Sequence, residues 1–148
     1  AVNSNLIDVV ASDHAPHTII EKNNNYIKCP SGGPLVQHSL VAMLDLYHDG
    51  LISLEKVVEK MCHNPAKLFR IKKRGFIKEG YYADLTILDL NKSWTVSKEN
   101  ILYKCGWSPF DGHTFKSSVQ SCFVNGNLVY NSGNFDERFR GLPLEFDV

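Results

Sequence analysis

Residues 9–20 read VVASDHAPHTII, and three side chains in that stretch can move protons or hold a metal: Asp13, His14 and His17. A carboxylate such as Asp13 can ligate a divalent cation through oxygen, and can accept or give a proton beside it. An imidazole can do either through a ring nitrogen. An H-x-x-H pair on a helix could share a metal, but Pro16 lies between these two histidines and favours a loop, where spacing says little about geometry. Each residue also has a plainer use: Asp13 can cap a turn, and a lone histidine more often satisfies a local hydrogen bond than ligates anything. The plainer use is the reading for His38, His48, His63 and His113.

The elements around these residues give Asp13 its interest. Ile7 to Ser12 is a short, β-branched run of the kind buried on both faces of a parallel sheet, followed by a loop to about Gly33 that is too long to be a mere connector. A parallel strand that delivers an ionisable residue into a long loop matches the place where α/β barrels and open α/β sheets keep their chemistry. Within the loop, Ser31 to Gly33 could bring backbone N–H groups close to a ligand, or could simply lead into a helix behind Pro34. Leu35 to Tyr47 then predicts a helix with Leu40, Met43, Leu44 and Tyr47 as its apolar positions. Ser53 caps a second, LEKVVEKM, whose Leu54, Val57, Val58 and Met61 share a face. A third begins at NPAKLF, with Asn64 as N-cap and Pro65 as first helical residue.

The texture changes near Gly75. Beyond it ADLTILDL alternates, WTV is a short β run, and SSVQSCFVNGNLVYN holds Asn125-Gly126 between two alternating arms, a strong hairpin signal. The tail FDERFRGLPLEFDV carries no readable pattern.

Composition bounds the function. A chain of 148 residues, 43% hydrophobic, suffices for one domain or two small ones. Sixteen basic and sixteen acidic side chains leave a formal net charge of zero, so no field draws the whole chain to nucleic acid or to an anionic membrane. No apolar stretch approaches the roughly 20 residues of a membrane helix. Cys29, Cys62, Cys105 and Cys122 are far apart and form no C-x-x-C, which points to reduced thiols and a cytoplasmic setting.

Taken in order, SDHAPHT, EK, P-x-G ahead of a helix, GLISLEKVVEKM running into NPAKLF, GFIKEGYYADLTILD, WSPFDG and VNGNLVY resemble the dihydroorotases of the amidohydrolase superfamily over nearly the whole chain. Hydantoinases and allantoinases are similar in the ADL and G-x-I-x-x-G segments, whereas the second histidine of DHAPH belongs to the dihydroorotase pattern. The resemblance implies an α/β fold: a C-terminal piece of a TIM-type (β/α)8 barrel plus a small β-sandwich. Residues 1–75 would supply the last strand, the active-site loop and the closing helices, and residues 76–148 a β-rich C-terminal module. It implies that Asp13 is both a metal ligand and the group that carries a proton to the departing ring nitrogen. It implies that His17 holds the substrate carboxylate, and that Pro30 and Gly32 lie where backbone groups touch the dihydropyrimidine ring.

The implied cofactor is zinc, as two ions in the complete enzyme. The implied partners are a small-molecule substrate, dihydroorotate or N-carbamoyl-aspartate, and the remainder of the same protein; homodimers are common among similar enzymes. The pattern's H-x-H pair, its bridging lysine or aspartate and two further histidines are not in this chain, so the reading is a C-terminal portion, inactive alone. Two alternatives stay open: another cyclic amidohydrolase of the hydantoinase or allantoinase type, and a non-catalytic scaffold of dihydroorotase-like sequence.

Overall fold

The computed structural model describes residues 1–147, with helices in the first half and strands in the second. The apolar run Ile7 to Ser12 departs from expectation: it forms no strand. A β run becomes a ladder only where neighbours lie beside it, and among the described residues the tethers on this run are two hydrogen bonds to the helical layer. Val10 N–H donates to the Lys60 carbonyl (3.1 Å), and the Asn64 side-chain amide donates to the Asp8 carbonyl (2.7 Å).

Helix α1 is the single turn Ile19–Lys22, and α2 is Ser39–His48. The expected start of α2 at Leu35 is a turn instead, with both His38 N–H and Ser39 N–H donating to the Leu35 carbonyl. Its fully buried side chains are Val41 and Leu44, while Leu40 and Met43 are half-buried. Ser53 caps α3 (Leu54–Val58) as expected, its hydroxyl accepting from Lys56 N–H at 3.2 Å.

The separate third helix does not exist. A π-helical turn, Glu59–His63, joins α3 directly to α4 (Asn64–Leu68), and Asn64 lies inside the helical run and not at a cap. Pro65 explains the change of register: it has no N–H for the carbonyl one turn back, and its ring presses on that carbonyl. A widened turn just ahead accommodates both defects within one continuous helix.

Strands β1 (Leu85–Asp89), β4 (Ser118–Val124), β5 (Asn127–Asn131) and β6 (Asn134–Phe135) form an antiparallel sheet in the order β1-β4-β5-β6. The ribbon of β2 (Trp94–Thr95) and β3 (Thr114–Phe115) stands apart from it. Between β4 and β5, Asn125 and Gly126 take φ of 50° and 82°, as a two-residue turn with both central residues left-handed requires. Asp84 accepts from Asn125 N–H at 2.7 Å, and Arg74 pairs with Asp84 while donating to the Asn125 side chain at 2.9 Å. The tail returns to the helical half: Lys72 N–H donates to the Glu145 carbonyl and Asp147 N–H to the Arg70 carbonyl.

The core joins the two halves. Val41 of α2 packs with Val96 and Phe115, and Trp94, Ile101 and Phe110 close around them. Among the described residues no helix is long and apolar enough to cross a membrane. Phe115 is completely buried, so Phe115→Ala is expected to destabilise the fold by about 3–5 kcal/mol. The urea midpoint measures it, and a loss below about 1 kcal/mol would mean that this contact is not the joint between the halves.

Candidate active site

Asp13 stands at the head of the loop with φ of 44°, a left-handed conformation that aspartate tolerates better than most side chains. It is exposed, and among the described residues its carboxylate has no hydrogen-bond or ion-pair partner. His14 is committed elsewhere. Its Nδ1 accepts from Leu35 N–H (3.1 Å) and Val36 N–H (3.3 Å), which places the lone pair on Nδ1 and the ring proton on Nε2. The first histidine of the H-x-x-H pair is thus a clamp on the backbone that enters α2.

His17 leads into a capping box. Thr18 caps α1 through Glu21 N–H, and the Glu21 carboxylate accepts from Thr18 N–H at 2.7 Å and from its hydroxyl at 2.8 Å. Those bonds, the backbone one first, hold the Glu21 carboxyl below the usual carboxylate range. His17 Nδ1 lies 4.0 Å from the same carboxylate, with the imidazole about one-third exposed.

The loop folds back so that its two ends meet. Ala15 N–H donates to the Gly33 carbonyl at 3.0 Å, and His14 and Gly33 form an isolated parallel bridge. Lys22 Nζ reaches across to the carbonyls of Pro30 (2.6 Å) and Gly32 (3.0 Å). Gly32 has φ of 79°, and a Cβ there would sit 2.7 Å from the Ala15 Cβ. The stretch Asp13 to His17 is therefore laid against Pro30 to Gly33, which brings the four residues singled out in the sequence into one clasp.

Sequence reasoning missed what holds the clasp from behind. The Trp107 indole N–H donates to the His17 carbonyl at 2.8 Å. The Tyr103 ring lies 5.4 Å from that of His14, and its hydroxyl meets His38 Nδ1 at 2.6 Å, beside the Ser108 hydroxyl at 3.2 Å. His38 is completely buried against Phe115, Phe110 and Trp94, and among the described residues its Nε2 has no partner. Burial pushes its imidazole below the ordinary value and pushes the Tyr103 hydroxyl up to about 12. The other histidines read as ordinary also make contacts distant in sequence: His48 with Ser117 at 2.8 Å, His113 with Asp45 at 2.8 Å, and His63 stacked on Phe76. The signals available for the support were the EK and WSP segments, which carry Lys22 and Trp107.

Among the described residues no three His, Cys, Asp or Glu side chains converge as a metal site. The clasp offers one unengaged carboxylate, Asp13, and one partly exposed imidazole, His17. All four cysteines are free.

The sequence model of the amidohydrolase family matches residues 1–129. This chain belongs to the amidohydrolase family. Among curated amidohydrolases it is 37% identical over 139 residues to a dihydroorotase of Pyrococcus furiosus, covering 94% of this chain and 32% of that protein. It is 42% identical over 125 residues to a dihydroorotase of Endomicrobium trichonymphae, covering 84% of this chain and 30% of that one. The chain thus spans about a third of the length of these curated relatives. Among solved amidohydrolases, the L-hydantoinase (dihydropyrimidinase) from Arthrobacter aurescens superposes with a TM-score of 0.82 at 34% identity, over 90% of this chain and 31% of that one. A D-hydantoinase at 23% identity superposes with a TM-score of 0.83 over 90% of this chain and 30% of its own, a likeness of fold.

Gly32→Ala is expected to cost about 1–3 kcal/mol from left-handed strain, and more from the contact with Ala15. Adding Ala15→Gly relieves the contact and leaves the strain, so urea midpoints of the single and double variants should differ measurably. A neutral single variant would contradict the close approach.

His38 predicts a pH dependence. Its native pKa lies below the ordinary 6.5, so as pH falls past about 6.5 the unfolded chain takes up a proton that the native one refuses, and stability drops toward acid. His38→Gln should flatten the fall in urea midpoint between about pH 7 and about pH 5.5. An unchanged slope would show that another group titrates there.

Proposed function

We propose that this chain supplies the C-terminal part of a dihydroorotase, which interconverts N-carbamoyl-L-aspartate and L-dihydroorotate in de novo pyrimidine biosynthesis. Its fold role is the C-terminal piece of a (β/α)8 barrel, with residues 1–75 ending the barrel and 76–148 forming a β-sandwich module. The observation that carries the reading is the clasp. Among the described residues the Asp13 carboxylate is unpartnered, and it shares with His17 a loop whose neighbouring polar groups are engaged, with Pro30 and Gly32 tied to the same loop through Lys22. Identity of 37% and 42% to two dihydroorotases supports it.

The donor chemistry of Asp13 fits one coordination position of a divalent ion, and its free carboxylate is consistent with that use. One carboxylate does not make a site, so the remaining donors would come from the remainder of the same protein. Zinc, when bound, supplies a nucleophile at neutral pH by lowering the pKa of water from about 15.7 to about 7. Asp13 takes the proton from the attacking water and delivers it to the departing ring nitrogen; in cyclisation it acts first as the acid. His17 holds the substrate carboxylate by a charge-assisted hydrogen bond and so aligns the ring. At the ring edge Gly32 offers its N–H, while the Pro30 and Gly32 carbonyls, which accept from Lys22, offer only their second lone pairs. The enzyme acts on a small cytoplasmic metabolite and needs neither nucleic acid nor membrane.

The likeness to the L-hydantoinase favours a second reading, a cyclic amidohydrolase acting on uncharged rings. His17 separates the two, because a ring without a carboxylate gives that imidazole nothing to hold. In the intact protein, Asp13→Ala is expected to lower kcat at least about a thousandfold in the cyclisation of N-carbamoyl-L-aspartate, and a chelator should abolish activity. His17→Gln should raise KM about tenfold. Full turnover by Asp13→Ala would overturn the assignment of the proton carrier, and an unchanged KM in His17→Gln would favour the hydantoinase reading.

A further inference from the structure

Trp107 reaches the site loop from 90 residues away in sequence. Its indole N–H donates to the His17 carbonyl at 2.8 Å, and its ring lies against Gly33, where an added Cβ would meet the ring at 3.7 Å. One side chain therefore touches both arms of the clasp, His17 on one and Gly33 on the other. Gly33 is buried.

Trp107 is itself fixed from both sides. Gly106 N–H donates to the Tyr103 carbonyl at 3.1 Å, and Phe110 N–H to the Ser108 hydroxyl at 3.1 Å. The Tyr103 and Ser108 hydroxyls both converge on the buried His38 ring. Gln37 adds a second tie at the start of the segment: its side-chain carbonyl accepts from Leu102 N–H at 2.9 Å and its amide donates to the Asn100 carbonyl at 2.8 Å. Residues 100–110 thus form a strap anchored on the residues just ahead of α2, with the indole as its tip.

We propose that Trp107 is a positioning residue, whose indole N–H fixes the His17 backbone against the Pro30–Gly33 arm and so sets where the His17 imidazole presents itself to an anionic substrate. The strap makes the β-rich half part of the substrate-binding machinery. The inference rests on the dihydroorotase reading for the identity of the substrate, but the mechanical part stands on the hydrogen bond and the packing alone.

Trp107→Phe keeps an aromatic ring and removes the donor. In the intact protein, hydrogen exchange at the hydrogen-bonded amides within residues 14–18, those of Ala15, His17 and Thr18, is expected to rise about tenfold, with the β4–β5 hairpin unchanged, because the lost bond is local. KM for N-carbamoyl-L-aspartate should rise about tenfold while kcat falls less than about threefold, the signature of disturbed binding without damage to the proton carrier. Unchanged exchange at 14–18 would overturn the inference, and so would a rise shared equally by the hairpin, which would make the indole a general stabiliser. Faster exchange at 14–18 with an unchanged KM would uphold the positioning of the loop and count against His17 as the carboxylate holder. The failure of the one claim is thereby distinguishable from the failure of the other.

Discussion

Backbone amides and carbonyls that leave a ladder must find other partners or stay in water, and the chain from Asp13 to Val36 is arranged around that requirement. A loop of this length without regular structure would ordinarily be mobile. Here side chains substitute for the ladder. Lys22 supplies donors to two carbonyls, the His14 ring supplies an acceptor to two amides, Trp107 supplies a donor to one carbonyl, and the backbone pairing at Ala15 and Gly33 closes the clasp. Because these groups are spent on the backbone, the Asp13 carboxylate and the His17 imidazole are the groups left for the chemistry proposed above. The division of labour between two histidines three residues apart follows from which of them faces unpaired amides.

The clasp in turn depends on the joint between the helical and β-rich halves. His38 packs among Trp94, Tyr103, Phe110 and Phe115, and its Nδ1 gathers the Tyr103 and Ser108 hydroxyls. A buried imidazole with one orphaned nitrogen carries a desolvation cost, offset here by aromatic packing and by two hydroxyl contacts on the other nitrogen. Such a network fixes the angle between α2 and the β2–β3 ribbon more sharply than apolar contacts alone would. Whatever orients that ribbon also orients the strap that ends in Trp107.

What could be read in the sequence was what local chemistry decides. Asn125-Gly126 dictates its own turn and Ser53 its own cap. The residues that needed distant partners were harder to read. Ile7 to Ser12 had the composition of a buried strand, but composition does not provide a neighbour to pair with. Pro65 and Asn64 imitated a helix start; the π-turn before them converted that signal into a continuation. His38 looked unremarkable because its partners lie 65 and 70 residues away, and Trp107 was visible only as part of a segment whose contact with His17 no spacing rule contains. Asp13, His17, Pro30 and Gly32 all lie on one loop, and the bonds that fold it back on itself, from Ala15 to Gly33 and from Lys22 to Pro30 and Gly32, follow no spacing rule either.

On the proposed reading, the clasp recognises a ring bearing a carboxylate. The most direct measurement compares kcat/KM of the intact protein for dihydroorotate and for dihydrouracil, the same ring without the carboxylate. A preference of roughly a hundredfold or more for dihydroorotate is expected, because a site built around a charge-assisted hydrogen bond rejects the analogue that leaves it unmade. Equal or greater efficiency on dihydrouracil would contradict it.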